Sequence, residues 1–336
     1  QGTTGLKTNA IGNPYLQWEE TQKLSGGIDL GFFKDRLLLN LTYQRNRSSN
    51  QLLGYLLPSI TGVTYFTQNL PATVQNVSWE FSLATDNVKT RNFTWTTNFN
   101  VTLPRNKVIE FPGIEETSYA KGLNGVIIGQ PLGVQKYYHY LGIDPAWGDY
   151  VLANENKQPS LGIPSEIAKN GYISTQPSIY GGLTNTLSYK GFSFDFLFEF
   201  RQQKGIRAFY FWNELAVPGA FFDENSNQPV SVLERWQKPG DMGPIARFRT
   251  EGFLSVTTTT DYYSWDASYV RLKNVSLSWQ VPNKWCDKMH LQSGTLYFRG
   301  QNLATVTRYT GLDPETQNST TLPPLQVWTT GINIIF

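Results

Sequence analysis

The chain has 336 residues, of which 14% are aromatic and only 16% charged, with a net charge of +2. Ordinary soluble domains carry about 25% charged residues, yet the mean hydropathy is −0.35 and no run approaches the ~18 apolar residues of a membrane helix. A helical membrane protein is therefore excluded, nothing draws the chain toward nucleic acid, and the single Cys286 leaves no intrachain disulfide framework or cysteine-based zinc site. No basic and apolar leader stands at Gln1-Gly2-Thr3-Thr4-Gly5. The text there reads like the middle of a loop, so a fragment of a longer polypeptide is expected.

Alternation of apolar and polar residues, the period of a strand, recurs along the chain. It predicts nine spanning strands near 20–33, 35–50, 73–86, 89–104, 177–189, 191–204, 265–281, 293–305 and 325–336. Leu37, Leu39, Leu41 and Tyr43 oppose Asn40, Thr42 and Gln44. Val77, Trp79, Phe81 and Leu83 face away from Ser78, Glu80 and Ser82, and Phe93, Trp95, Phe99, Val101 and Leu103 oppose Thr94, Thr96, Asn98, Asn100 and Thr102. The most extreme row is Phe192, Phe194, Phe196, Phe198 and Phe200, with Ser193, Asp195, Glu199 and Arg201 opposite. On a soluble surface such a row is a severe patch; against lipid it costs nothing. The strand at 265–281 changes phase, since Val270 and Leu272 are even while Val275, Leu277, Trp279 and Val281 are odd. A β-bulge near Lys273-Asn274 accounts for it.

The last strand ends Thr330-Gly331-Ile332-Asn333-Ile334-Ile335-Phe336. Trp328, Thr330, Ile332 and Ile334 share one face. A closing barrel strand must offer apolar side chains to lipid, and Gly331, Ile334 and Phe336 fit the signal read by outer-membrane assembly machinery. Connections alternate in length. Short turns fall at Lys34-Asp35, at Asp86-Asn87-Val88 and at Lys190-Gly191, with a modest one from Pro282 to Met289, and long connections fill 51–72, 105–176, 205–264 and 306–324. That asymmetry is the outer-membrane pattern, with short turns periplasmic and long loops extracellular. It places the C-terminus in the periplasm of a Gram-negative cell. Single-chain bacterial barrels have an even number of strands, so nine crossings are expected to be part of one.

Chemistry-bearing motifs are few. His139 lies in Tyr137-Tyr138-His139-Tyr140 and His290 lies beside a short turn; no nucleophile elbow, paired-histidine helix, phosphate loop or calcium loop occurs. The expectation is no enzyme, no cofactor and no metal. Asn-x-Ser/Thr triplets at Asn40, Asn76, Asn92, Asn100 and Asn274 fall on predicted strands and arise from alternation, so they do not read as glycosylation sites. They line one face with neutral donors and acceptors. Binding is expected on the long loops, where the aromatic candidates are Tyr137, Tyr138, Tyr140, Trp147, Tyr150, Tyr210, Trp212 and Trp236. These stack on sugar rings or peptide side chains, bury in a partner interface, or pack the loops together.

Several blocks resemble the C-terminal part of the SusC/RagA family of TonB-dependent transporters of Bacteroidetes. They are Asn13-Pro14-Tyr15-Leu16-Gln17-Trp18-Glu19, Gly27-Ile28-Asp29-Leu30-Gly31-Phe32, Ser188-Tyr189-Lys190-Gly191-Phe192, Ala267 through Ser278 (with Tyr269-Val270-Arg271-Leu272-Lys273-Asn274), Arg299-Gly300-Gln301-Asn302-Leu303, Tyr309-Thr310-Gly311-Leu312-Asp313-Pro314-Glu315 and Leu322-Pro323-Pro324. They follow the family's order over nearly the whole chain. The resemblance implies an all-β, antiparallel transmembrane β-barrel, with residues 1–336 as the C-terminal part of one 22-stranded barrel domain. It also implies a plug and N-terminal strands on polypeptide outside these residues, a TonB contact through that part, a SusD-like surface lipoprotein, membrane lipid and lipopolysaccharide outside, and an oligosaccharide or peptide substrate. Two other readings stand beside it. One is a passive porin or structural barrel element; the other is a soluble extracellular β-sandwich binding protein.

Overall fold

The computed structural model describes residues 12–57, 59–63, 65–120, 125–206, 230–248, 260–317 and 321–336. The protein is all-β. Nine strands pair in chain order into one sheet: β1 (Glu20–Phe32), β2 (Leu37–Ser49), β3 (Thr73–Lys89), β4 (Phe93–Glu110), β5 (Ile179–Tyr189), β6 (Phe192–Gln202), β7 (Tyr269–Gln280), β8 (Ser293–Thr307) and β9 (Val327–Ile335). These are the nine strands the alternation predicts, with ends moved by a few residues. Contacts divide the chain into two compact units, Gln1–Gly26 with Tyr43–Ser78 and Pro104–Lys136, and Gly27–Thr42 with Trp79–Leu103 and Tyr137–Phe336.

In the first unit the long connection 51–72 is a hairpin, Gln51–Leu56 against Tyr65–Leu70. Leu70, Ala72, Phe111 and Ile114 form a buried cluster with Tyr119, Ala120 and Val126 against it. The Asn13–Glu19 block is tied down by side-chain amides. Asn13 Nδ2 donates to the Thr67 carbonyl at 3.1 Å, and the Asn69 amide closes both ways on Gln17, each bond 2.8 Å. Asn106 likewise links Asn76 (2.6 Å) to the backbone N–H of Leu132 (2.6 Å).

In the second unit the register explains the phenylalanine row. Phe194, Phe196 and Phe198 stand opposite Leu187, Asn185 and Leu183 on β5, and opposite Leu277, Val275 and Leu272 on β7. One face is therefore apolar across three strands. Aromatic contacts link its columns: Phe200 stacks on Phe99 of β4 at 5.9 Å, Phe192 on Trp279 at 5.8 Å and Phe298 on Trp328 at 5.2 Å. Polar groups on this face satisfy each other. The Asn185 side-chain oxygen accepts from Trp95 Nε1 at 2.8 Å and from Thr97 Oγ1 at 2.6 Å. The turn between β5 and β6 has positive φ at both Lys190 (44°) and Gly191 (88°), the backbone that matches hairpin twist. Opposite Gly331 on β9 the Tyr297 ring lies so close that an added Cβ would fall 2.4 Å from its hydroxyl.

Three local expectations are corrected, the first being the turn expected at Asp86-Asn87-Val88, which lies inside β3. The turn at 282–289 contains a short helix, α1 (Asn283–Lys288), begun by Pro282, whose ring pre-sets φ. Trp285 of α1 meets Trp279 edge-on at 5.7 Å, and Cys286 is buried. Asn92 lies in the turn between β3 and β4, not on a strand.

The phase change in β7 is a bulge. Leu272 pairs Phe198 and Asn274 pairs Leu197, which leaves Lys273 as the extra residue. On β8 the same point takes two residues between Gln301 and Ala304, one of them Asn302 at φ 53°; its side-chain amide donates to the Leu325 carbonyl at 3.0 Å. The bulge gathers charge on the polar face. Arg271, 1% exposed, pairs with Asp313, 5% exposed, and with Glu315 at 2.8 Å. Lys273 reaches Glu199 at 3.0 Å and Glu315 at 3.4 Å, and the Tyr269 hydroxyl donates to Glu199 at 3.0 Å. Asp313 Oδ1 accepts from the backbone N–H groups of Glu315 and Thr316, and the buried Gln203 amide donates to the Pro314 carbonyl at 2.6 Å. The connection after β8 is thereby fastened to the sheet.

Arg271→Met strands the buried Asp313 carboxylate and is expected to destabilise the fold by about 3–5 kcal/mol. The midpoint of thermal loss of β-sheet circular dichroism, in detergent, measures it. Adding Asp313→Asn is expected to recover part of the loss, because the uncompensated charge goes with it.

Candidate functional site

The aromatic candidates lie on the connections between β4 and β5 and between β6 and β7. A three-stranded sheet, Tyr140–Ile143, Tyr150–Ala153 and Pro159–Leu161, supports them. Gln135–Tyr137 pairs with Gly171–Ile173 in a second small sheet. The Tyr138 carbonyl accepts from the backbone N–H of Asp261 at 2.9 Å, which ties the two connections together.

Three of the candidates form the core of this region. Tyr137, Tyr138 and Tyr150 are buried, and Tyr138 and Tyr150 cluster with Leu152, Ala168 and Ala246. The Tyr138 hydroxyl donates to the Pro164 carbonyl at 3.0 Å, and Lys169 Nζ sits 5.1 Å from its ring centroid. Tyr140 is half-buried and meets Tyr262 edge-on at 4.8 Å. Burial raises the phenol pKa of Tyr137, Tyr138 and Tyr150 above the ordinary value of 10.0, most strongly at Tyr150. Buried in this way, Tyr138 and Tyr150 pack the connections together.

Trp147 differs, being 62% exposed. The Asp144 side chain fixes its turn by accepting from the backbone N–H groups of Ala146 (2.8 Å) and Trp147 (2.9 Å). Gly148, at φ 71°, completes the turn. An added Cβ there would lie 2.4 Å from the Trp236 ring, so glycine lets that indole lie against the backbone. Trp236 Nε1 donates to the Pro145 carbonyl at 3.0 Å, and Arg247 Nε pairs with Asp149 at 3.1 Å. Trp147 is thus an exposed ring on a rigid support. Tyr210 and Trp212 fall outside the described residues.

His139 is 2.6 Å, Nδ1 to Oδ2, from Asp261, whose other oxygen accepts from the Tyr140 backbone N–H at 2.9 Å. Sequence reading gives no hint of this pair, because 122 positions separate its members. It also leaves out Glu199, Asp313 and Glu315 as partners of Arg271 and Lys273, although the blocks containing Arg271, Lys273, Asp313 and Glu315 stand out. Among the described residues, no group of three or more His, Cys, Asp or Glu side chains is placed to hold a metal ion.

No family model matches the sequence. Over its whole length the chain is 27% identical to TonB-dependent receptor P3 of Formosa agariphila, covering 36% of that protein. Over 91% of its length it is 23% identical to TonB-dependent receptor SusC of Bacteroides thetaiotaomicron, covering 30% of it. Among solved structures, that of the RagAB peptide transporter superposes with a TM-score of 0.82 at 21% identity, over 99% of this chain and 38% of that one. The chain therefore spans about a third of the length of the curated relatives it matches. Its fold is that of part of a TonB-dependent outer-membrane β-barrel. Within that class, its sequence and fold are similar to part of a SusC/RagA-like receptor, as the ordered blocks imply.

The raised pKa of Tyr150 has a sign. The folded state favours the neutral phenol, so this stabilisation is complete below pH 10 and is lost as pH rises through the higher folded value. Tyr150→Phe is expected to flatten the alkaline fall in stability and to remove one late phenolate transition, followed by absorbance during a pH titration.

Proposed function

We propose that this chain is the C-terminal part of one barrel domain in a SusC-like, TonB-dependent transporter that imports oligosaccharides or peptides across the outer membrane. The observation that carries the reading is the nine-stranded antiparallel sheet with one aromatic face and two outer strands, β1 and β9, each with a sheet neighbour on one side only among the described residues. Further strands of the same receptor pair with those edges, and a plug fills the lumen. Phe192, Phe194, Phe196, Phe198 and Phe200 face lipid. Gly331, Ile334 and Phe336 serve as the assembly signal, and Phe336 is 82% exposed. The long connections are extracellular and meet a SusD-like lipoprotein, the C-terminus is periplasmic, and TonB engages the receptor through polypeptide outside this chain. Trp147 offers its ring to the substrate or to the lipoprotein.

Deleting the receptor in its host is expected to abolish growth on, and uptake of, the labelled oligosaccharide or peptide that it imports. Collapsing the inner-membrane potential should do the same in the wild type. Uptake that survives the uncoupler but not the deletion would support a passive porin instead.

Three substitutions refine the picture. Phe196→Arg places a charge on the proposed lipid face and is expected to cost about 2–4 kcal/mol, seen as a smaller folded fraction in heat-modifiability gels, whereas Ser276→Lys on the opposite face is expected to fold normally. Trp147→Ala is expected to lose about 1 kcal/mol of binding, roughly fivefold in the uptake KM, with surface abundance unchanged.

A further inference from the structure

Beside the aromatic cluster lies an open cavity of about 500 Å³, lined by His139, Leu141, Ala153, Lys157, Asn170 and Gly171. Two of its side chains offer N–H donors. Lys157 contributes an ammonium and Asn170 an amide, and among the described residues neither side chain has a hydrogen-bond or ion-pair partner. The His139 ring is oriented by Asp261. A carboxylate only accepts, so Nδ1 carries the shared proton and Nε2 is the ring nitrogen left for a ligand. Among the described residues, no carboxylate lines the cavity. Of the nearby acids, Asp261 is engaged by His139 and the Tyr140 N–H, Glu155 by the Ser165 hydroxyl, and Glu166 by Lys169 at 2.6 Å.

The support is rigid. Lys157 sits at φ 61° in a tight turn. The Asn154 side chain closes that turn by accepting from the N–H groups of Asn156 (2.9 Å) and Gln158 (3.0 Å), while the Lys157 N–H bonds the Asn154 carbonyl at 2.9 Å. At Gly171 an added Cβ would approach the Tyr137 carbonyl to 3.1 Å and an Asp261 oxygen to 3.5 Å, so that backbone passes close beneath the dyad. Leu141 and Ala153 supply an apolar wall. An ammonium and an amide N–H beside an apolar wall suit a carboxylate carried on a small organic frame, and His139 Nε2, an acceptor in the neutral ring, suits a hydroxyl or N–H of that frame.

We infer that this cavity is a subsite for a carboxylate group of the imported solute, from either a uronic-acid sugar or the C-terminus of a peptide. The inference rests on the import reading above and narrows its substrate class to anionic ligands. Calorimetry on the full receptor in detergent tests it with two matched pairs: a uronic-acid disaccharide against its neutral hexose counterpart, and trialanine against trialanine amide. The charged member of at least one pair should bind fivefold or more tightly than its neutral partner, and which pair does so identifies the source. Lys157→Gln should erase that preference and Lys157→Arg should retain it. Equal binding within both pairs, no binding of any probe, or a preference that survives Lys157→Gln would overturn the subsite. Uptake of the receptor's nutrient by intact cells separates the two levels. A receptor that imports but ignores charge at Lys157 loses only this inference, whereas one that imports nothing loses the reading beneath it.

Discussion

A hydrogen-bonded ladder held in one register is the constraint on which the rest of this structure depends. Among the described residues, nine strands pair in the order of the sequence, so each connection need only turn the chain round. Side chains alternate across the sheet, and a slip of one residue would exchange its faces. The register keeps Phe192 through Phe200 beside Leu183, Leu187, Val275 and Leu277, and the polar Asn185 survives there because Trp95 and Thr97 both donate to it. With that wall fixed, the connections are free to carry binding chemistry.

The charge network around Arg271 extends the ladder's order into a connection. Two cations two residues apart, Arg271 and Lys273, meet two acids two residues apart, Asp313 and Glu315. Burial makes the pairing demanding, since a buried charge without a partner is costly. The demand falls on particular atoms. Arg271 Nε is taken by Thr305 Oγ1 at 3.0 Å, and the Asp313 carboxylate also organises its own turn. The blocks that carry the family resemblance thus coincide with a bulge, its opposing left-handed Asn302 and the acids that answer its cations.

How much of this was legible follows from which signals are local. The lipid-type face was legible because alternation is written residue by residue, and the Lys273 bulge because it flips the parity of the apolar positions in β7. The irregularity opposite it at Asn302 was not. Leu296 and Phe298 before it and Ala304 and Val306 after it are all even-numbered, so no phase change marks it. Helix α1 is too short for a helical period to show. The aromatic connections were legible as aromatic, but not the division of labour that buries Tyr138 and Tyr150 and leaves Trp147 outside, because that depends on Ala168 and Ala246 from distant sequence. The His139–Asp261 pair arises only when two connections fold together, and the Lys157 cavity only when distant parts of one connection do.

The bulge at Lys273 also makes this stretch of the wall modular. The halves of β7 on either side of it are out of phase, so they behave as two short strands spliced end to end. A graft that moves residues 269–272 into another barrel without the extra residue, its opposite number on β8 and the segment 309–316 would turn one half inside out. Those three pieces form a single cassette, although they lie on separate segments of the chain.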